Sequence, residues 1–193
     1  MRELFPLYEA YNSGFLDVGD GHEIYFEESG NPNGIPVVYI HGGPGDHSKP
    51  SHRQYFNPSK YRFIAFDQRG CGKSKSIDYL KENTTWKTIE DMEKLRKFLK
   101  IETWLINGRS WGSLLALVYA INNPEVVKGI ITGGIYLATR QDIAFLYDFG
   151  ANLLFPDEYE KFTKYFEIDN NSALSAADNM ESILRKLKDK IYL

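Results

Sequence analysis

The sequence predicts an α/β fold: a mostly parallel sheet with an antiparallel edge at its N-terminal end. Three observations predict it. Short apolar runs recur near 36–40, 62–67, 103–107 and 128–133, with the length and composition of buried strands. Helical patterns near 86–99 and 111–122 separate the last three of these runs. A helix that crosses between apolar strands returns the chain in parallel. Ahead of all of them, Asp20-Gly21 joins two strand-like segments near 14–18 and 22–28, and that dipeptide favours a tight hairpin turn.

The elements follow in order. The hairpin forms the antiparallel edge. Val37-Val38-Tyr39-Ile40 is a buried strand that runs into His41-Gly42-Gly43-Pro44-Gly45. Phe63-Ile64-Ala65-Phe66 is another, running into Asp67-Gln68-Arg69-Gly70-Cys71-Gly72. Thr103 to Asn107 is short and apolar. The helix from Trp111 carries Leu114, Leu115, Leu117, Val118 and Ile121, and Asn122-Asn123-Pro124 stops it. After about Leu137 the pattern turns helical throughout, in Arg140 to Gly150, Asp157 to Phe166 and Ala173 to Ile191.

Composition narrows the function. With 193 residues, 42% hydrophobic and 15% aromatic, the chain can bury one sizeable core. A net charge of −3 without a basic patch argues against nucleic acid. Arg185 to Lys190 reads as a solvated helix face. No apolar run reaches membrane-spanning length, and Met1-Arg2-Glu3-Leu4 opens no signal peptide. A single cysteine, Cys71, excludes an intrachain disulfide and reads as a small packed residue in a glycine turn. Together these point to the cytoplasm.

The chemistry is concentrated at Gly108-Arg109-Ser110-Trp111-Gly112. A strand, a tight turn and a buried helix around Gly-x-Ser-x-Gly make a nucleophile elbow, with Ser110 at its apex. The flanking glycines leave room for a strained serine backbone. The His41–Gly45 loop is the second half of such a site. Its glycines let the backbone approach a substrate and aim an N–H inward, and the second donor is the N–H of the residue after the serine, Trp111. His41 itself is expected to hold the loop by hydrogen bonds. Gly72-Lys73-Ser74 has the tail of a phosphate loop, but Asp67 stands where that pattern needs its first glycine and would repel phosphate. Asp67 and Arg69 are expected in structural ion pairs near the site.

The three segments together resemble the prolyl iminopeptidases, proline-specific aminopeptidases of the α/β-hydrolase fold. Tyr11 to Val18, Gly30 to Gly34, Asn83-Thr84-Thr85-Trp86 and Ser110-Trp111-Gly112-Ser113 are similar to family segments as well. The similarity extends to about Phe155-Pro156-Asp157. The resemblance implies that Ser110 is the nucleophile, that the N–H groups of Gly43 and Trp111 form the oxyanion hole, and that no metal or organic cofactor is needed. It implies a peptide with N-terminal proline as substrate. It divides the chain into the N-terminal part of a hydrolase core, 1–137, and the beginning of a helical cap, 138–193.

Two departures qualify it. The family usually has glycine where Arg109 stands, so this cation is expected to find an acidic partner or to turn to water. The larger departure is that all four histidines, His22, His41, His47 and His52, precede Ser110. The triad Asp and His lie in the part of the family that follows this chain, so the sheet is expected to be incomplete and the chain inactive alone. The strand near 128–133 then becomes an open edge, prone to self-association or to pairing with a complementing C-terminal chain. A non-catalytic binding protein and one half of a split enzyme are the alternative readings. His47 and His52 follow the glycine loop and are the intrinsic candidates for a base.

Overall fold

In the computed structural model, residues 3–146 and 150–167 are described. The chain divides into two compact units, Met1–Tyr136 and Leu137–Leu193.

The first unit is built on one sheet of seven strands. In chain order these are β1 (Ala10–Gly19), β2 (His22–Gly30), β3 (Ile35–Ile40), β4 (Tyr61–Phe66), β5 (Lys75–Ser76), β6 (Trp104–Ser110) and β7 (Val127–Ile135). The main order is β1-β2-β4-β3-β6-β7, with β5 paired to β2. Pairs β1–β2 and β2–β4 are antiparallel; β3–β4, β3–β6 and β6–β7 are parallel. The predicted mostly parallel sheet with an antiparallel N-terminal edge is therefore the observed one. The hairpin turns through Gly19, Asp20 and Gly21, all at positive φ, 84°, 59° and 85°. That run suits glycine and aspartate and is closed to bulky side chains.

Helix α1 (Thr85–Phe98) begins at Thr84, whose hydroxyl accepts from the Lys87 N–H. Helix α2 (Trp111–Asn122) ends at Asn123, before Pro124. Both pack on one face of the sheet. Alternation places Val38, Ile40, Ile64, Phe66 and Ile106 there, against Ile89, Met92 and Leu95 of α1 and Leu115, Ala116 and Tyr119 of α2. The intervening residues Val37, Tyr39, Phe63 and Ala65 form a smaller cluster on the other face with Phe56. A 3₁₀ helix at Pro50–Tyr55 leads into Phe56. Beyond this cover β7 is the sheet edge, with Ile130, Ile131 and Ile135 at 38%, 46% and 67% exposure.

The second unit has three short helices, α3 (Arg140–Ala144), α4 (Ala151–Leu154) and α5 (Pro156–Phe166), among its described residues. The predicted helix over 140–150 begins as α3 and continues with π-helical turns at Phe145 and Leu146; residues 147–149 lie outside the described residues. At its other end a Cβ on Gly150 would stand 2.2 Å from the Phe145 carbonyl oxygen, so the chain turns there through glycine into α4. The predicted helix over 173–191 lies outside the described residues. Among the described residues no helix is long and apolar enough to cross a membrane.

Candidate active site

The strand order reverses at β3. From β3 the chain passes to β4 on one side, then crosses to β6 on the other. In open α/β sheets the crevice at the carboxyl ends of the strands flanking such a switch point receives ligands. The carboxyl end of β3 is His41 and its glycine loop, and the carboxyl end of β6 is Ser110. The two motifs are brought together by topology.

Ser110 ends β6 and precedes α2, at φ 53° and ψ −124°. A side-chain-bearing residue at positive φ is uncommon and strained. The walls that hold it are backbone. A Cβ on Gly108 would stand 2.1 Å from the Gly112 carbonyl oxygen, and one on Gly112 would stand 2.2 Å from that of Ile40. Behind the turn, the buried Ser113 hydroxyl donates to the Ser110 carbonyl at 2.6 Å and accepts the Tyr136 N–H at 3.0 Å. The glycine loop lies directly against the elbow: a Cβ on Gly42 would meet both the Arg109 carbonyl oxygen and Ser110 Cβ at 3.2 Å. Gly43 and Gly45 take φ of 117° and 100°.

Gln68 joins three of the motif segments. Its N–H donates to His41 Nε2 at 3.0 Å and its side-chain amide to the His41 carbonyl at 2.9 Å. Its Oε1 accepts the Trp111 indole N–H at 3.2 Å. His41 Nδ1 in turn faces the Gly42 carbonyl at 2.9 Å. Nε2 accepts, so Nδ1 carries the hydrogen and donates, and Gln68 Nε2, itself a donor at 3.2 Å from Nδ1, bonds the carbonyl instead. Burial pushes the His41 pKa down and keeps the ring neutral. His41 is therefore a loop-holding residue. Nothing in the sequence marks Gln68 for this role, although it lies between Asp67 and Arg69. Gln68→Leu removes the acceptor for Trp111 and the side-chain donor to the His41 carbonyl. It is expected to lower stability by about 1–3 kcal/mol. A thermal melt, together with a shift of the Trp111 indole N–H resonance, checks this.

The other singled-out residues divide. Arg69 is in the expected ion pair, fully buried, with Nε 2.6 Å from Asp91 and Nη1 3.1 Å from Asp20. Asp67 corrects the expectation. Its buried carboxylate accepts the backbone N–H groups of Ser48 and Lys73, each at 2.8 Å, and so ties two loops together with no cation paired to it among the described residues. Burial pushes the Cys71 thiol up, which keeps it protonated and unreactive. Arg109 turns outward, as one of its two expected courses, with Cζ 5.9 Å from the Tyr55 ring. His47 pairs with Asp46 at 3.4 Å. His52 Nδ1 accepts the Lys49 N–H at 3.0 Å, with its ring 4.3 Å from that of Tyr39. His22 bonds the Lys81 carbonyl at 2.7 Å. No histidine is hydrogen-bonded to Ser110.

Beside the elbow a cleft of about 610 Å³ opens between Pro44-Gly45, Gln68, Cys71, Thr85 and Trp111. Among the described residues no group of three or more His, Cys, Asp or Glu side chains is placed to hold a metal ion.

A family profile described as the alpha/beta hydrolase fold matches residues 35–188. The chain belongs to the α/β-hydrolase fold family. Within it, 162 residues are 51% identical to a "probable proline iminopeptidase" of Leptolyngbya boryana, covering 84% of this chain and 50% of that protein. A proline iminopeptidase of Arabidopsis thaliana is 48% identical over 161 residues, 83% of this chain and 42% of its own. This chain of the α/β-hydrolase fold thus spans about half the length of the curated relatives it matches. Among solved structures, a proline iminopeptidase-related protein from Thermus thermophilus superposes with a TM-score of 0.55 at 27% identity, over 63% of this chain and 43% of that one. An epoxide hydrolase of Vigna radiata reaches 0.60 at 20% identity, over 80% of this chain and 51% of that one, a likeness of fold alone.

Proposed function

We propose that the chain is the nucleophile-bearing part of a serine aminopeptidase that releases N-terminal proline from peptides. The observation that carries the reading is Ser110 at positive φ on the elbow, with the Gly42-Gly43 loop packed against it. The relatives named proline iminopeptidase supply the substrate class. In this reading Ser110 Oγ attacks the carbonyl carbon of the N-terminal proline. The backbone N–H groups of Gly43 and Trp111 stabilise the oxyanion that forms. Residues 1–137 are the core and 138–193 the start of a cap.

The proton of Ser110 needs a base within hydrogen-bond reach. The four histidines are engaged elsewhere. The base and its orienting carboxylate therefore come from a segment corresponding to the other half of the relatives' length, in the same polypeptide or a complementing one. A serine hydroxyl without a base is almost wholly un-ionised at neutral pH. Oxyanion donors and binding alone leave roughly 10³–10⁴-fold catalysis over water in serine proteases. The 193-residue chain is accordingly expected to release no proline from a chromogenic proline amide above the buffer rate, and to react weakly or not at all with a fluorophosphonate. Adding the C-terminal half of a relative in trans is expected to raise labelling, at Ser110 and not in Ser110→Ala. Rapid turnover by the chain alone, lost in Ser110→Ala, would return the search for a base to His41, His47 and His52. Labelling elsewhere than Ser110 in the complemented protein would sink the reading.

A further inference from the structure

Arg53, Arg62, Arg69 and Arg96 each hold a carboxylate at 2.5–2.7 Å. Arg109 holds none among the described residues. It projects from the carboxyl end of β6 on the sheet face that carries Tyr39. Its stem lies along Gly133 of β7, where an added Cβ would stand 3.5 Å from Nε. Its guanidinium faces the ring of Tyr55, which is 54% exposed. The charge of Arg109 is felt at Tyr39 and at His52. The acid felt at the same two groups, Asp46, is already engaged by Lys49 and His47 at 3.3 and 3.4 Å. This corner, one residue from Ser110, therefore presents donors: the guanidinium fork and the Tyr55 hydroxyl. A carboxylate is the acceptor-only group that matches such a fork.

We propose that Arg109, with Tyr55 beside it, holds the free C-terminal carboxylate of a short peptide, so that this chain selects short proline-headed peptides over amidated or long ones. The proposal rests on the aminopeptidase reading of Ser110. A peptide advances about 3.3–3.6 Å per residue and adjacent Cα atoms lie about 3.8 Å apart. A carboxylate roughly one or two residues beyond the scissile bond, as in a proline-headed dipeptide, thus comes within reach of a side chain rooted next to the nucleophile. Glycine at this position offers no such group.

The test is NMR titration of the Ser110→Ala chain, which cannot turn substrate over, with Pro-Ala, Pro-Ala amide and acetate. Pro-Ala is expected to bind about tenfold tighter than its amide, the low end for a hydrogen bond to a charged group. That ratio should fall to about one in the Ser110→Ala/Arg109→Leu chain. Arg109 is exposed, so the second substitution should leave the melting temperature unchanged. Acetate is expected to weaken Pro-Ala and leave the amide unaffected. Equal affinities for acid and amide, or an advantage that survives Arg109→Leu, overturn the proposal. So does acetate bound at Arg109 that Pro-Ala fails to displace, which would make a small free carboxylate the ligand. The aminopeptidase reading is scored separately, by whether Pro-Ala amide, which lacks the carboxylate, perturbs the amide resonances of residue 110 and Trp111.

Discussion

Arg69→Met is expected to destabilise the chain by about 3–5 kcal/mol, the cost of removing one partner from a buried ion pair. Arg69 is fully buried and bidentate on Asp91, at 2.6 and 2.9 Å. It also donates to Asp20, the Glu82 carbonyl and the Val18 carbonyl, so one guanidinium joins the hairpin turn, the loop before α1 and α1 itself. Substitution strands Asp91, which is 1% exposed. Burial already pushes the Asp91 carboxyl up, against the pull of Arg69. Without Arg69 it rises further. A carboxyl whose folded pKa lies above its unfolded value binds more protons folded than unfolded. Its destabilisation is absent below the unfolded pKa and grows to its full size as pH rises through the folded one. The deficit of the variant should therefore be larger near pH 8 than near pH 5, as read by thermal melts of both proteins across that range. Arg69→Met/Asp91→Leu should recover much of the loss, because no charge is then left unpaired. A deficit that does not change with pH would show that Asp91 stays ionised without its partner.

Gly112→Ala is expected to be comparably damaging. The added methyl would sit 2.2 Å from the Ile40 carbonyl oxygen and 2.8 Å from that of His41. These are main-chain atoms of β3 and its loop, and they cannot rotate aside. Overpacking costs about 1–3 kcal/mol where side chains absorb it. Here β3 and α2 must separate, so the loss should reach or exceed the top of that range. Gly129→Ala is the control: its Cβ would meet the flexible Leu105 Cδ2 at 3.3 Å, and alanine is the better strand residue there. Thermal unfolding of the two variants should differ by several degrees. Equal melting temperatures would mean that the elbow is looser than its glycines indicate.

Much of this fold was legible because its requirements are local. Buried parallel strands announce themselves as short apolar runs, and the elbow and its facing loop need glycine at fixed offsets. The hairpin is longer than its apolar pattern because its first residues are polar and are held by pairing; Asn12, for example, donates to Glu28 at 2.8 Å. Strand β5 has two residues, too few for any periodicity. The 3₁₀ helix at Pro50–Tyr55 depends on Arg53, a buried cation held by Glu27 at 2.7 Å and the Tyr8 carbonyl at 2.8 Å. Neither contact leaves a mark near Arg53 in the sequence. Gln68 was illegible for the same reason. Its partners His41 and Trp111 are 27 and 43 residues away, and nothing in Asp67-Gln68-Arg69 distinguishes the middle residue. Asp67 departs from the expected ion pair because a buried carboxylate can be satisfied by backbone N–H groups, a partner that no residue type announces.

The turn that presents Ser110 is braced by main-chain atoms: the carbonyl oxygens of Ile40 and His41 stand against Gly112, that of Gly112 against Gly108, and Gly42 against Ser110 itself. Main-chain walls keep their shape whichever side chains the neighbouring positions carry. The attacking geometry and the choice of what is attacked are thereby encoded in separate sets of atoms. Position 109 belongs to the second set, since its side chain leaves the turn and is exposed. For protein engineering this makes residue 109 a dial: cation, anion or bulk can be tried there to redirect selectivity, while the turn that presents the serine keeps its form.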